Sequence, residues 1–143
     1  MSFSLDSSLG FLTNRLANLL KADLERGFAA RGLNITAEQW LILGRLYEED
    51  GLVQNELAKR TSKDKTNIAR ILALMETRQL IERRADPNDQ RMNKTYLTPL
   101  GRSLQSPLVE AAQETLARAQ KGLSESDVRQ LIEKLNIVFI NLS

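Results

Sequence analysis

The run Asp86-Pro87-Asn88-Asp89-Gln90-Arg91, followed after five residues by Leu97-Thr98-Pro99-Leu100-Gly101, dictates a tight charged turn that feeds directly into a helix. Asp and Asn side chains bond their own backbone and Pro fixes φ, so the first run is a turn former. Upstream, Leu80-Ile81-Glu82-Arg83-Arg84 leads into it. Downstream, Lys94-Thr95-Tyr96-Leu97 alternates polar and apolar residues of β-favouring type, as a returning strand does. Thr98 can cap a new helix whose first residue is Pro99, where a missing N–H costs nothing. The expectation is a β-wing: two short strands around a basic tip.

Two short helical patterns precede the wing, Gln54 to Arg60 and about Lys63 to Arg78, separated by Thr61-Ser62. The second places Ile68, Ile71, Leu72 and Met75 on one stripe and Lys63, Thr66, Asn67 and Arg70 on another. At roughly 100° per residue the two stripes lie about 140° apart, so one packs while the other offers hydrogen-bonding groups.

Leu9, Leu12, Leu16, Leu19, Leu20, Leu24 and Phe28 recur at spacings of three and four, which marks an amphipathic helix from about Ser8 to Arg31, ended by Gly32. Thr36-Ala37-Glu38-Gln39 has the form of a capping box, so a second helix carrying Trp40, Leu43, Leu46 and Tyr47 should start there and stop at Asp50-Gly51. After the wing, a helix from Pro99 should run to about Lys121, kinked or interrupted by Pro107. Ser124-Glu125-Ser126-Asp127 should cap a last helix with Val128, Leu131, Ile132, Leu135, Phe139 and Leu142 on one stripe. With 143 residues and 42% hydrophobic content, one mainly helical domain with a modest core is expected. The first and last helices each carry a full apolar stripe that a small winged core cannot cover. A partner is implied; the alternative is that the stripes bury each other within one chain.

The formal charge is only +2, but residues 54–102 carry 11 basic and 6 acidic side chains, so the positive charge is concentrated around the wing. Such a patch suits phosphate neutralisation, and equally an ordinary solvated face. The sequence holds no Cys and no His, which excludes disulfides, thiol sensing and a Cys/His zinc site. There is no Gly-rich phosphate loop, nucleophile elbow or metal-ligand cluster, so neither an enzyme nor a cofactor is expected, and Glu48-Glu49-Asp50 reads as a solvated helix end. The N-terminal residues lack a basic region followed by a long apolar run, and no segment approaches the ~18 apolar residues of a membrane span. A cytoplasmic protein without membrane contact is the expectation.

The order helix, turn, polar-faced helix, strand, Asp89-x-Arg91 loop, strand, Leu97-Thr98-x-x-Gly101 resembles the winged helix-turn-helix of the MarR family of bacterial transcription regulators. The match runs from about Thr36 to Gly101. The resemblance implies a single domain over residues 1–143, with a DNA-binding head at about 36–101 and dimerisation helices at about 8–31 and 99–142. The helices would interleave two subunits into a homodimer on double-stranded DNA, most simply as a repressor of a pseudo-palindromic operator. A helix entering the major groove needs paired donors and acceptors: Asn67 suits adenine, Arg70 guanine or phosphate, and Thr66 either base type, while Lys63 and Lys65 suit phosphate. Gln54 and Asn55 open the preceding helix and could meet phosphates. By resemblance Arg91 enters the minor groove and Asp89 orients it, with Arg84 and Lys94 along the DNA backbone. The family also implies a small aromatic or phenolic effector, here near Leu12, Arg15, Leu16, Trp40, Leu43 and Tyr47, with Arg15 as an anion partner. The same apolar residues could equally be plain core. A winged-helix scaffold that binds proteins without reading DNA is the alternative function.

Overall fold

In the computed structural model, which describes residues 2–89 and 92–143, the chain is mostly helical with a small antiparallel sheet. After a 3-10 turn at Leu5–Ser7, α1 spans Leu9–Ala30 and α2 spans Ala37–Glu48. The short strand β1 (Leu52–Val53) precedes α3 (Gln54–Thr61) and α4 (Lys65–Thr77). Strands β2 (Ile81–Arg84) and β3 (Lys94–Leu97) form the wing, and α5 (Pro99–Ser103), α6 (Gln105–Ala119) and α7 (Glu125–Leu142) complete the chain.

Local sequence explains most of these boundaries. The expected capping box is present at α2: Gln39 N donates to Thr36 Oγ1 and Thr36 N donates to Gln39 Oε1, each at 3.1 Å. Ser124 and Asp127 form the equivalent box at α7. Helix α4 starts two residues later than its periodicity suggests, because Asp64 takes the N-cap and accepts the Asn67 N–H at 2.7 Å. Lys63 therefore lies on the turn before the helix. The expected interruption near Pro107 is seen at Leu104, between α5 and α6. Pro107 has no N–H for the Ser103 carbonyl four residues earlier, so the helix breaks there and restarts with Pro107 in its first turn.

The sheet has the order β1-β3-β2. Its β2–β3 register pairs Ile81 with Leu97 and Arg84 with Lys94, and β1 pairs Leu52 with Thr95. Strand β1 was not expected, since two residues carry no readable period. It is enforced by Gly51, whose φ of 75° suits glycine and whose N–H donates to Thr95 O at 3.0 Å. Asp50 also departs from the solvated reading, accepting the Leu97 N–H at 2.9 Å and pairing with Arg102.

The core joins the head to the helical body. Ile42, Leu43 and Leu46 of α2, Leu57 of α3, and Ile68, Leu72 and Met75 of α4 are almost fully buried, as are Leu80 and Ile81. Phe28 of α1 packs edge-on against Trp40, with ring centroids 6.0 Å apart, and Leu108 and Ala111 of α6 are buried in the same cluster. Each such large side chain contributes roughly 1.5 to 3 kcal/mol through burial. Asp23 of α1 adds a polar tie to α6, accepting from Thr115 Oγ1 at 2.7 Å and from Arg118 Nη2 at 2.7 Å.

The junction between α4, the wing and α5 is the tightest in the chain. Thr98 Oγ1 donates to Gln79 O at 2.6 Å and accepts from Gly101 N at 3.0 Å, while Thr98 N donates to Leu80 O at 3.2 Å. A Cβ on Gly101 would sit 2.2 Å from Leu80 O, so only glycine fits. Tyr47 closes the joint from α2, its hydroxyl donating to Gly101 O at 2.6 Å. Burial pushes its pKa up to about 12, so it remains a donor throughout the working range.

Two outcomes follow. At fixed protein concentration, Gly101→Ala should lower the urea-derived unfolding free energy by about 3 kcal/mol, and Thr98→Val by roughly 1 to 3 kcal/mol. A loss below a few tenths in both would show that the joint is dispensable. Separately, the Arg118 guanidinium and the Thr115 hydroxyl hold the Asp23 carboxyl down at about 2, from 3.8. The unfolded chain binds more protons on this group between those values, so its stabilisation is complete above about pH 4 and lost as the pH falls towards 2. The stability gap between wild type and Asp23→Asn should close over that window in acid titrations of unfolding.

Candidate nucleic-acid interface

Helix α4 buries one face and exposes the other, as its two stripes require. Ile68, Ile71, Leu72 and Met75 are buried, whereas Lys65, Thr66 and Arg70 are exposed and Asn67 is half-buried. The Asp64 cap fixes the first turn, where Thr66 and Asn67 sit. Arg70 Nη2 donates to Asn67 Oδ1 at 2.7 Å, so the two form one hydrogen-bonding unit. Arg70 also reaches Glu38 of α2 at 3.5 Å, an exposed pair of little energetic weight that sets its direction. Gln54 and Asn55 occupy the first turn of α3, where unpaired backbone N–H groups point outward. The structure thus gathers Gln54, Asn55, Lys65, Thr66, Asn67 and Arg70 on the two helices of a helix-turn-helix.

The wing is built to hold its shape. Asp86 Oδ1 accepts the N–H groups of Asn88 at 2.8 Å and Asp89 at 3.1 Å, the Asx turn its sequence implies. At the root, Arg83 pairs with Glu76 of α4 at 3.2 Å, and its guanidinium holds the Glu76 carboxyl below its usual pKa. Arg84 lies 4.0 Å over the Tyr96 ring and bonds Glu82 Oε1 at 2.7 Å. Its cation is therefore stacked and paired on the strand, so a phosphate contact would compete with Glu82. Lys94 is exposed on β3 and Asp89 is half-buried at the turn. Arg91, the expected minor-groove residue, lies outside the described residues.

The comparisons with known proteins agree with this geometry. A MarR family model matches residues 32–92. A probable transcriptional regulator from Pseudomonas aeruginosa, known from its crystal structure, is 30% identical. The likeness covers 94% of this chain and 99% of that one, with a TM-score of 0.82. The chain belongs to the MarR family. Another similar structure, the S. aureus MepR–DNA complex, is 26% identical, with a TM-score of 0.83 over 98% of this chain and 100% of that one. Over 110 residues, the HTH-type transcriptional repressor IacR of Pseudomonas putida is 26% identical, covering 77% of this chain and 66% of the relative. As a MarR family member this protein is a DNA-binding transcriptional regulator, and not an enzyme.

The residues expected to hold an effector are divided by the fold of this MarR protein. Leu43 is fully buried core, and Tyr47 is committed to the Gly101 carbonyl. Leu12 and Leu16 face outward on α1, and Arg15 lies 5.5 Å over the Phe11 ring. Trp40 alone of the six lines a cavity of about 500 Å³ between α1, α2 and α6. Leu20, Leu24, Leu41 and Leu116 line it, together with the charged residues Lys21, Glu38 and Lys63. Sequence reasoning missed Lys21 and α6 because the cavity depends on how three helices cross. The inward spacing of Leu20 and Leu24 was the available signal.

Because Asp64 orders the turn that carries Thr66 and Asn67, Asp64→Ala should cost about 1 kcal/mol of stability. DNA affinity should fall with it. Urea unfolding and fluorescence anisotropy on the same samples provide the check, and an unaffected stability would show that the cap bond is not formed in solution.

Proposed function

We propose that the protein is a homodimeric repressor that binds a pseudo-palindromic operator through two winged heads, and that a small aromatic or phenolic effector releases it. The observation that carries the dimer is α7, an 18-residue helix with no buried residue. Its Leu131, Ile132, Leu135 and Phe139 stand exposed, as do Leu9, Leu12, Leu16 and Leu19 of α1. The intrachain alternative, in which the stripes cover one another, leaves this surface unexplained. A second copy would bury both stripes and supply the area above about 1,000 Å² that a stable interface needs.

A two-fold dimer presents two α4 helices to half-sites about one helical turn apart. Asn67 reads a base edge, with Thr66 and Arg70 beside it; Gln54, Asn55, Lys63, Lys65 and Lys94 meet phosphates. Arg91 reads minor-groove shape, with Asp89 orienting it. The MepR complex with DNA and the repressor role named for the IacR relative support this assignment. The α1–α2–α6 cavity is the effector site: it falls within the 300 to 1,000 Å³ range usual for small ligands, and Trp40 offers a stacking surface.

Selecting bound genomic fragments and sedimenting the protein at micromolar concentration test the reading together. A dimer and an inverted-repeat motif are expected. Asn67→Ala should relax preference at one position of each half-site by ~1 to 3 kcal/mol, leaving the other positions legible. A monomer, or a selected duplex bound no better than random DNA at moderate salt, would replace this reading with a protein-interaction module.

A further inference from the structure

The first turn of α2 lies against the reading helix and holds it at both ends. Arg78, just after α4, donates through Nη1 to Gln39 Oε1 at 3.1 Å, and Arg70 Nη2 lies 3.5 Å from Glu38 Oε2. That turn is itself fixed, by the Thr36–Gln39 capping box and by Ala37 N, which donates to Glu25 Oε2 of α1 at 2.9 Å. The same Arg70 nitrogen donates to Asn67 Oδ1 at 2.7 Å, and Asp64 pins the Asn67 backbone. Glu38, Arg70 and Asn67 thus form a run of contacts from the helical body to the exposed side of α4.

The chemistry of this run fixes what Asn67 can present. A guanidinium has donors and no acceptor, so the amide must turn its oxygen to Arg70 and its Nδ2 away. Among the described residues Asn67 Nδ2 has no acceptor, and Arg70 keeps further N–H groups beyond the one spent on Asn67. An asparagine that reads adenine needs both ends of its amide on one base, Oδ1 accepting from N6 and Nδ2 donating to N7. Here the oxygen is already engaged by a cation, and a second approach to it would bring the N6 amino donor towards that cation. Guanine presents two acceptors, O6 and N7, on the same edge. A pair that offers only donors matches guanine and mismatches adenine.

We propose that Asn67 and Arg70 read guanine as one donor fork, and that Glu38 of α2 is the positioning residue that holds the fork together. This rests on the DNA-reading function proposed above and names the base that the reading helix selects. Glu38 also acts against indiscriminate binding: by holding Arg70 it keeps a guanidinium from reaching for the phosphates. Some affinity for every sequence is given up, and discrimination is gained.

The experiment uses the full-length protein and its selected operator, altered only at the position where Asn67→Ala erases the preference. Affinities are read by fluorescence anisotropy over a range of salt, with urea midpoints to match the variants for stability. Guanine should be preferred over adenine there by about tenfold in each half-site. Inosine, which keeps O6 and N7, should bind like guanine, and 7-deazaguanine, which lacks N7, should bind several-fold more weakly. Arg70→Met should abolish the preference or turn it towards adenine, because Oδ1 is released. Glu38→Ala should raise affinity for random duplex, steepen the salt slope by up to about one per head and cut the guanine preference several-fold. Glu38→Gln, which keeps an acceptor for Arg70 without the charge, should fall between. If Asn67→Ala alters no position, if wild type selects adenine or a pyrimidine there, or if Arg70→Met keeps the full guanine preference, the donor fork is overturned while specific DNA binding stands. If Glu38→Ala leaves both slope and preference unchanged, the positioning role is overturned. If no duplex binds better than random DNA, the DNA-reading function fails and this inference with it.

Discussion

The Thr98 hydroxyl holds this molecule together at the point where its function is organised. It links the residues just after α4, through Gln79 O, to the first turn of α5, through Gly101 N. Without it the N–H of the buried Gly101 would lack its cap at a crowded crossing, where an orphan costs about 1 to 3 kcal/mol. The absence of a side chain on Gly101 lets α5 approach the Leu80 carbonyl, and that approach sets the angle between the wing and the helical body. Beneath it, Leu80, Ile81 and Leu97 are buried in the core.

The same joint accounts for how much was legible in the sequence. Leu97-Thr98-x-x-Gly101 is readable because a cap and an obligatory glycine impose residue types at fixed spacing. The capping boxes at Thr36 and Ser124, the Asx turn at Asp86 and the buried stripe of α4 were readable for the same reason, since each is a local bond or a helical period. What escaped was non-local. Strand β1 exists because β3 is there to pair with it, and Asp50 looks like a helix-end acid until the Leu97 N–H and Arg102 are folded against it. The cavity between α1, α2 and α6 was not legible either, because periodicity gives the apolar face of a helix but not the level at which α2 and α6 cross it. Lys63 was placed on the reading helix because its periodicity fits, whereas Asp64 captures the cap and leaves Lys63 on the turn.

Charge distribution follows a division of labour. Most arginines are already partnered within the chain: Arg31 with Glu114, Arg60 with Glu49 and Glu56, Arg83 with Glu76, Arg118 with Asp23. Among the described residues, no lysine forms such an ion pair. Planar guanidinium groups serve as structural ties, while the compact, mobile ammonium groups remain available to phosphates or small acids. A protein with a formal charge of only +2 can thereby present a basic surface, because its acids are consumed by arginines elsewhere.

The break at Leu104 separates α5, which is bonded to the wing, from α6, which packs along α1. On one side lies a head whose sheet, reading helix and α5 are bolted to one another; on the other, α6 lies along α1. Pro107 cannot give a hydrogen bond to the Ser103 carbonyl, so the link between them lacks a helical hydrogen bond. In the proposed dimer, the two heads would then be set like the jaws of a caliper, each joined to the body through this break in the helix. Spacing tolerance between half-sites would be decided at this proline, remote from every base contact.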